Sequence, residues 1–405
     1  MKKILAILLS VTAVVSFTAC SDSSQSSTQS STNSVSTTKI AVKKEVETDK
    51  IDWVDFKEYK LDSTKKAKNV ILMIGDGMGE NIIKGAEIVK GDKLIMSGLP
   101  YKTHVTTYSQ SVTDGLSDFT DSAASATALS TGVKTYNRYI GVDKDGNDVE
   151  TICEFAKKYG MKTGLVDRHY VCHATPAGMA AHNESRDNYP AILRSMLNNN
   201  VDVMLGGGSQ YYDASKKVQN TVEKNGYTYI KDEESLLSFD DKNGKLLGMF
   251  AYDNMKDAYM KPTLTTMTAK ALDLLDNENG FFLMVEGSNI DVCESLEDMD
   301  GTIQQMQAFD HTVDYVLNWI ESHPDTLVIV TADHETGGVK IPENATADDI
   351  NNDCFTSGGD HTNTNVLVMT GGADSENLCK KDVIDNTDIA KYMRTAIKAC
   401  HNKSK

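Results

Sequence analysis

The sequence has no excess of basic charge, no closely spaced cysteine pair and, beyond its first twenty residues, no long apolar run. Lysine and arginine number 41 against 58 aspartates and glutamates, a formal net charge of −17. That balance argues against nucleic acid as a partner, because binding a phosphate backbone needs a basic face. It leaves a phosphorylated small molecule open, since a metal site can supply positive charge locally. The cysteines contain no C-x-x-C motif. With Cys20 set aside, Cys153, Cys172, Cys293, Cys354, Cys379 and Cys400 permit up to three disulfides of unspecified pairing, and buried free thiols are an equally good reading. No internal repeat is present. The composition, 40% apolar and 24% charged over 405 residues, is that of a soluble globular protein with room for one large α/β domain or two ordinary ones.

The one long apolar run is N-terminal. Lys2 and Lys3 precede Ile4 to Phe17, and Phe17-Thr18-Ala19-Cys20 follows. This reads as a signal peptide over residues 1–19, too short to favour a membrane span. The tetrapeptide resembles a bacterial lipobox, whose cysteine is lipidated after cleavage; Phe17 is a less usual first residue, and plain signal cleavage is the alternative. Residues 20–45 are rich in Ser and Thr and read as a flexible tether. The expected product is exported and held by lipid on Cys20 at the outer face of a bacterial cell membrane, or else secreted. The folded domain is expected over 46–405.

Within that domain, short runs rich in β-branched residues read as buried strands: Val70 to Ile74, Lys162 to Val166, Val201 to Leu205, Phe281 to Val285, Leu327 to Val330 and Asn365 to Met369. Helix-like stretches lie between them, such as Thr151 to Tyr159, Tyr189 to Asn198, Thr265 to Leu275 and Gln304 to Ile320. The alternation predicts an α/β fold with a large, mostly parallel central sheet sandwiched between helices. The polar segment at about 210–262 is expected to be peripheral elaboration.

Asp76, Glu286, Asp333 and His334 all closely follow apolar runs. Open α/β sheets bind ligands at the C-terminal edge of their strands, so these residues can converge. Thr120-Asp121-Ser122-Ala123-Ala124-Ser125-Ala126-Thr127-Ala128 sets a serine hydroxyl beside a carboxylate at a helix start, where free N–H groups favour an anion. Hydrolysis of a phosphate ester needs a nucleophile, cations to neutralise the phosphoryl oxygens and a fork to hold the group. Ser122 offers the first. Asp76, Asp333 and His334 form a mixed O/N set suited to zinc. Asp76, Thr175 and Glu286 form an all-oxygen set suited to magnesium. Arg186 offers a planar bidentate contact. Taken singly, each residue also has an ordinary reading: a turn aspartate at Asp76, a loop pair at Asp333-His334, a surface ion pair at Arg186. Glu286 is harder to dismiss, because a carboxylate emerging from a buried strand needs a partner.

These motifs, Ile74-Gly75-Asp76-Gly77-Met78-Gly79, Asp121 to Ala128, Ala174-Thr175-Pro176, Ser185-Arg186, Met284-Val285-Glu286-Gly287-Ser288 with Ile290-Asp291, Thr331-Ala332-Asp333-His334 and His361-Thr362, resemble in order and spacing those of the alkaline phosphatase family. The resemblance spans about Val70 to Val366. It implies an alkaline phosphatase-like fold and metal-dependent hydrolysis of phosphate monoesters through a phosphoserine at Ser122. It further implies that Asp121 orients Arg186, and that Asp76, Asp333 and His334 hold a zinc that activates Ser122. Asp76, Thr175 and Glu286 would hold magnesium. Asp291 and His361 would belong to the other zinc, on the leaving-group side. The family is often dimeric, so a homodimer is one expectation.

One departure concerns that last site. Where the two-zinc members carry a histidine four residues after the matching aspartate, this chain has Ser295, and Asp291 to Asp298 contains no histidine. Glu294 or Cys293 as a substitute ligand, a harder metal such as Mg²⁺, Mn²⁺ or Ca²⁺, and a partly empty site are the open outcomes, with an altered metal preference favoured. His173, two residues before Thr175, is expected to act on the third site through water. The acidic cluster Glu294, Glu297, Asp298 and Asp300 is expected to be an exposed helix start. Competing functions are a lipid-anchored phosphate- or metal-binding protein with weak or no turnover, and a diesterase, sulfatase or mutase on the same scaffold. The Cys/Ser-x-Pro-x-Arg motif common in sulfatases is absent at Ser122.

Overall fold

A computed structural model describes residues 52–401. The expected signal segment, Cys20 and the tether lie outside the described residues. The strands in chain order are β1 Asn69–Gly75, β2 Tyr101–Thr106, β3 Lys162–Tyr170, β4 Val203–Gly207, β5 Tyr227–Ile230, β6 Lys245–Met249, β7 Phe281–Gly287, β8 Thr326–Thr331, β9 Glu335–Thr336, β10 His361–Thr362, β11 Val366–Gly372 and β12 Val383–Asp385. Ten of them form one sheet in the order β12-β2-β11-β8-β1-β7-β3-β4-β6-β5. Only β11 runs against its neighbours β2 and β8; the other pairs in this sheet are parallel. The expected α/β architecture is therefore present, and each of the six anticipated strands is found. The segment at 210–262, anticipated as peripheral, supplies β5 and β6 at one edge of this sheet.

The central strands explain why apolar runs marked them. Every residue of β1, β7 and β8 is buried, because both faces of a parallel sheet are covered by helices. Helices Leu264–Leu275 and Met299–Ser322 pack on each other and on central strands. Helices Ser122–Thr131, Ala174–Ala180 and Asn386–His401 form a second packed group over the same strands. The Ser122 and Ala174 helices approach closely through small residues. A Cβ on Gly178 would lie 2.7 Å from Ala126 Cβ and 3.0 Å from the Ala126 carbonyl carbon.

No described helix is long and apolar enough to cross a membrane. Cys153, Cys172, Cys293, Cys354 and Cys379 are free thiols, so the free-thiol reading holds over the disulfide one.

Candidate active site

The parallel register brings the acidic strand ends together. β1 lies between β7 and β8, with Ile74 level with Glu286 on one side and Thr331 on the other. Asp76 leaves β1 immediately afterwards, and Asp333 and His334 follow β8. All four site residues are buried. Opposite them, the Ser122–Thr131 helix starts with Ser122 as its first residue and Asp121 as its N-cap. Asp121 Oδ1 accepts the Ala124 N–H at 3.0 Å. Ser125 anchors the helix from below by donating to the Asp333 carbonyl at 2.6 Å.

Ser122 Oγ lies 3.2 Å from His334 Nε2. The same ring nitrogen lies 3.4 Å from Asp76 Oδ1 and 3.2 Å from Asp333 Oδ2. Asp76, Asp333 and His334 thus offer ligand atoms clustered within 4.8 Å of one another, and Asp291, His334 and His361 form a second such cluster. The rings of His334 and His361 stack at 3.6 Å between centroids. His361 Nε2 faces Asp291 Oδ1 at 3.3 Å while its Nδ1 meets the Thr120 carbonyl at 2.9 Å. Thr336 donates to Asp291 Oδ1 at 2.7 Å.

On the other flank, Arg186 Nη1 donates to Asp121 Oδ2 at 2.9 Å, and Nη2 donates to His173 Nε2 at 3.2 Å. Asp121 therefore caps the serine helix with one oxygen and aims the guanidinium with the other. His173 is turned toward Arg186 and stacks on His169 at 4.0 Å. Glu286 and Thr175 are wholly buried, with the Thr175 hydroxyl and the Asp167 carboxyl set against the Glu286 carboxylate.

The electrostatics are those of a cation site. Burial, then the charges of Asp333, Asp291 and Glu286, push the Asp76 carboxyl well above the usual carboxylate range. Burial and Asp167 do the same to Glu286. Burial lowers His334 to about 4, which keeps its imidazole neutral and able to ligate. Burial opposes the charged form of His361, but the carboxylate of Asp291 outweighs it and raises the imidazole to about 9. Asp76 Oδ1 and Asp333 Oδ2 are buried acceptors that share a single neighbour, His334 Nε2, and make no hydrogen bond among the described residues. Uncompensated carboxylates at this density are costly, and divalent cations are what such a donor set fits.

Three findings depart from the sequence reading. Glu294 is fully buried, not part of an exposed helix start; Glu297, Asp298 and Asp300 are exposed as expected, with Asp298 capping the next helix at Gly301 N, 3.0 Å away. Ser295 faces solvent, so its hydroxyl does not fill the place an imidazole would take. Asp167, absent from the expected site, is buried beside Glu286 in register on β3, and burial raises it to about 6. Its signal was available, an acid directly after the apolar Leu165-Val166. Thr336 carried no such signal. Glu335, directly after His334, is buried and accepts Val339 N at 3.0 Å.

The family model described as alkaline phosphatase matches residues 67–353. Over 297 residues the chain is 38% identical to alkaline phosphatase 4 of Bacillus subtilis, covering 68% of this chain and 63% of that relative. Over 411 residues it is 32% identical to the alkaline phosphatase of Escherichia coli, covering 83% and 87%. The cold-active alkaline phosphatase of the psychrophile Shewanella sp. superposes with a TM-score of 0.72 at 30% identity, covering 81% of this chain and 99% of that one. The chain spans just under two thirds of the length of the Bacillus relative.

Proposed function

This chain belongs to the alkaline phosphatase family, and we propose that it hydrolyses phosphate monoesters through a phosphoserine at Ser122, releasing inorganic phosphate outside the cytoplasm. The observation that carries the reading is the convergence of Ser122, at a helix N-terminus, with Arg186 on one side and His334, Asp76 and Asp333 on the other.

Each of these groups has a role the geometry supports. Ser122 Oγ attacks phosphorus, displacing the alcohol. Arg186 holds two phosphoryl oxygens in its planar fork, pre-aimed by Asp121. At the start of the helix the Ser122 and Ala123 N–H groups would face the same anion, those of Ala124 and Ser125 being bonded to Asp121. Asp76, Asp333 and His334 would hold one ion, Asp76, Thr175 and Glu286 a second, and Asp291 with His361 a third. Bound there, zinc or magnesium would neutralise charge on the phosphoryl group and favour deprotonation of serine and water. His173, in contact with Arg186, keeps the guanidinium from swinging away from the phosphate. Water then attacks the phosphoserine and regenerates Ser122.

The positive pair Lys2-Lys3, the apolar run and Cys20 support export with a lipid anchor. Phosphate monoesters are the proposed substrates, with the phosphoryl group as the part recognised.

The test is hydrolysis of p-nitrophenyl phosphate at alkaline pH by wild type, by Ser122→Ala and by chelated wild type. Loss of roughly 10³-fold or more in kcat for Ser122→Ala is expected, together with a phosphorylated Ser122 peptide in wild type quenched with acid. Undiminished turnover in Ser122→Ala would remove the mechanism. Uptake of one phosphoryl group without turnover would indicate a binding protein, and faster cleavage of a diester would indicate a diesterase.

A further inference from the structure

Arg138 holds a backbone conformation that its residue type does not favour. Its φ is +74°, in the left-handed region where an L side chain crowds the neighbouring carbonyl. Among the described residues, Asn200, Asn344 and Asp374 also have positive φ, but asparagine and aspartate tolerate it and arginine does not. Glycine would take this conformation without strain. Strain of this kind persists where the surroundings over-determine it, and it gathers at functional sites.

What fixes Arg138 is the phosphate fork itself. The chain at 138–140 runs against 183–186. Ile140 and Asn183 exchange backbone hydrogen bonds of 2.8 Å each way, and the Arg186 N–H donates to the Arg138 carbonyl at 2.8 Å. The Arg138 N–H donates to Asp121 Oδ2 at 3.0 Å, and the same oxygen receives Arg186 Nη1 at 2.9 Å. The two arginines thus share one carboxylate, Arg186 through its side chain and Arg138 through its backbone. Neither backbone contact requires an arginine, since glycine would make both. The Arg138 side chain is 55% exposed and its guanidinium pairs with Asp187, the residue after Arg186, itself 59% exposed. An exposed ion pair returns too little to offset left-handed strain in an L residue. Neither the fold nor this pair therefore accounts for the side chain. Tyr189, three residues past Arg186, is pushed up by burial, and the charges of Arg186 and Arg138 both act against that rise. Both guanidinium groups are within electrostatic reach of one phenol.

We propose that Arg138 selects substrates: its guanidinium exchanges Asp187 for a second anionic group, phosphate or carboxylate, on a phosphate monoester whose phosphoryl group sits in the Arg186 fork. The proposal rests on the phosphomonoesterase reading above. The incoming anion can offer two oxygens in the plane of the guanidinium. It also arrives tethered by its own phosphoryl group, which raises its effective concentration at Arg138. The chain as a whole carries −17 and repels multiply charged substrates. A second cation beside the fork offsets that repulsion locally. Arg138 does not touch the reacting atoms in this scheme, so its effect falls on substrate affinity and is specific to esters that carry the second anion.

Three esters on one carbon frame test it: glycerol 3-phosphate, which lacks a second anion, 3-phosphoglycerate, which carries a carboxylate, and glycerol 1,3-bisphosphate, which carries a second phosphate. The quantity read is kcat/KM for each of the last two divided by that for glycerol 3-phosphate, so a general disturbance of the fork cancels. Arg138→Gly is expected to lower at least one ratio about tenfold, mainly through KM, and the ester that responds names the anion. Arg138→Lys, which keeps the charge and loses the planar fork, should give an intermediate ratio. Asp187→Asn removes the competing carboxylate while leaving Arg138 in place, and should raise the same ratio. That rise should disappear in the Arg138→Gly background, which a mere change of net charge would not produce. Melting temperatures guard against loss of fold; Arg138→Gly should melt no lower than wild type because glycine adopts φ +74° freely. Both ratios unmoved in Arg138→Gly would overturn the assignment, as would a rise in Asp187→Asn that persists undiminished without Arg138. No hydrolysis of any of the three esters by wild type sinks the phosphatase reading instead, whereas hydrolysis of all three with unmoved ratios sinks only the role of Arg138.

Discussion

Asp121 does two jobs with two oxygens, and this makes it the most informative single residue to change. Its Oδ1 caps the serine helix and its Oδ2 receives Arg186 and the Arg138 N–H. Asp121→Ala removes both, so stability should fall by about 0.5–2 kcal/mol from the lost cap, with an additional rise in KM from the unaimed guanidinium. Asp121→Asn keeps an acceptor for the cap and should separate the two, with near wild-type melting but weakened phosphate affinity. Arg186→Lys retains the charge and loses the planar fork; kcat/KM is expected to drop roughly 10- to 100-fold, about 1.4–2.7 kcal/mol of transition-state stabilisation. Ser295→Ala, by contrast, changes an exposed side chain and should leave kcat/KM within about twofold, as surface changes away from a site generally do; a larger loss would put Ser295 back among the ligands. These residues also show where sequence reading reaches its limit. Asp76, Glu286, Asp333 and His334 were visible because each follows an apolar run. The burial of Glu294 is not legible in the sequence, because an acidic cluster at a helix start is ordinarily solvated, and only the three-dimensional phase of a two-turn helix shows that one member turns inward while Ser295 turns out.

The elements that carry the site are held by close approach and by caps. Gly178→Ala forces a methyl group to within 2.7 Å of Ala126 on the serine helix. We expect a cost of about 1–3 kcal/mol from overpacking, read as a lowered denaturation midpoint, and a drop in kcat because the helix presenting Ser122 must shift. A quieter element lies behind it. The helix Ile152–Lys158 starts in a capping box formed by Thr151 and Glu154, and Glu154 also meets His182 Nε2 at 3.1 Å. Burial alone would lower His182, but hydrogen bonds with Glu154 and the Gly141 carbonyl raise it above its ordinary 6.5. A histidine raised in the folded state binds its proton more tightly there than in the unfolded chain. Its stabilising contribution is complete below pH 6.5 and is lost as the pH rises through the folded value. Glu154→Gln should therefore reduce the excess stability of wild type at acidic pH and leave the alkaline end closer to unchanged, a difference that paired melts across pH will measure. At this scale the sequence was most legible where strands are buried on both faces: β1, β3, β7, β8 and β11 announce themselves as apolar runs. It was least legible for β2, whose Tyr101-Lys102-Thr103-His104 is polar on one face, for β5 and β12 at the sheet's edges, where half-exposed strands carry mixed residues, and for β6, a short buried run interrupted by Gly248.

At the scale of the folded domain, a mostly parallel sheet concentrates carboxylates at one edge, and the charge it gathers there has a consequence for stability. Asp76, Glu286 and Glu294 are all pushed well above the carboxylate range, each first by burial and then by neighbouring acids. A carboxyl raised in the folded state retains a proton that the unfolded chain has already released above about 4. Between those values the native state binds more protons, so the stability of the metal-free protein declines as the pH rises. A divalent cation reverses this by taking the proton's place and compensating the charge. Mass action then adds stability, about 2.7 kcal/mol for one site at a free metal concentration of 100 Kd. The expected result is a pair of diverging curves. Melting temperature with chelator should fall as the pH rises above the unfolded carboxylate range of about 4, melting temperature with saturating divalent metal should stay nearly flat, and the gap should be widest at the alkaline end. Substituting Glu286→Gln, which removes one of the raised groups, should shallow the chelated curve. Parallel curves, with a metal-induced shift independent of pH, would mean that these carboxylates are not what the metal neutralises.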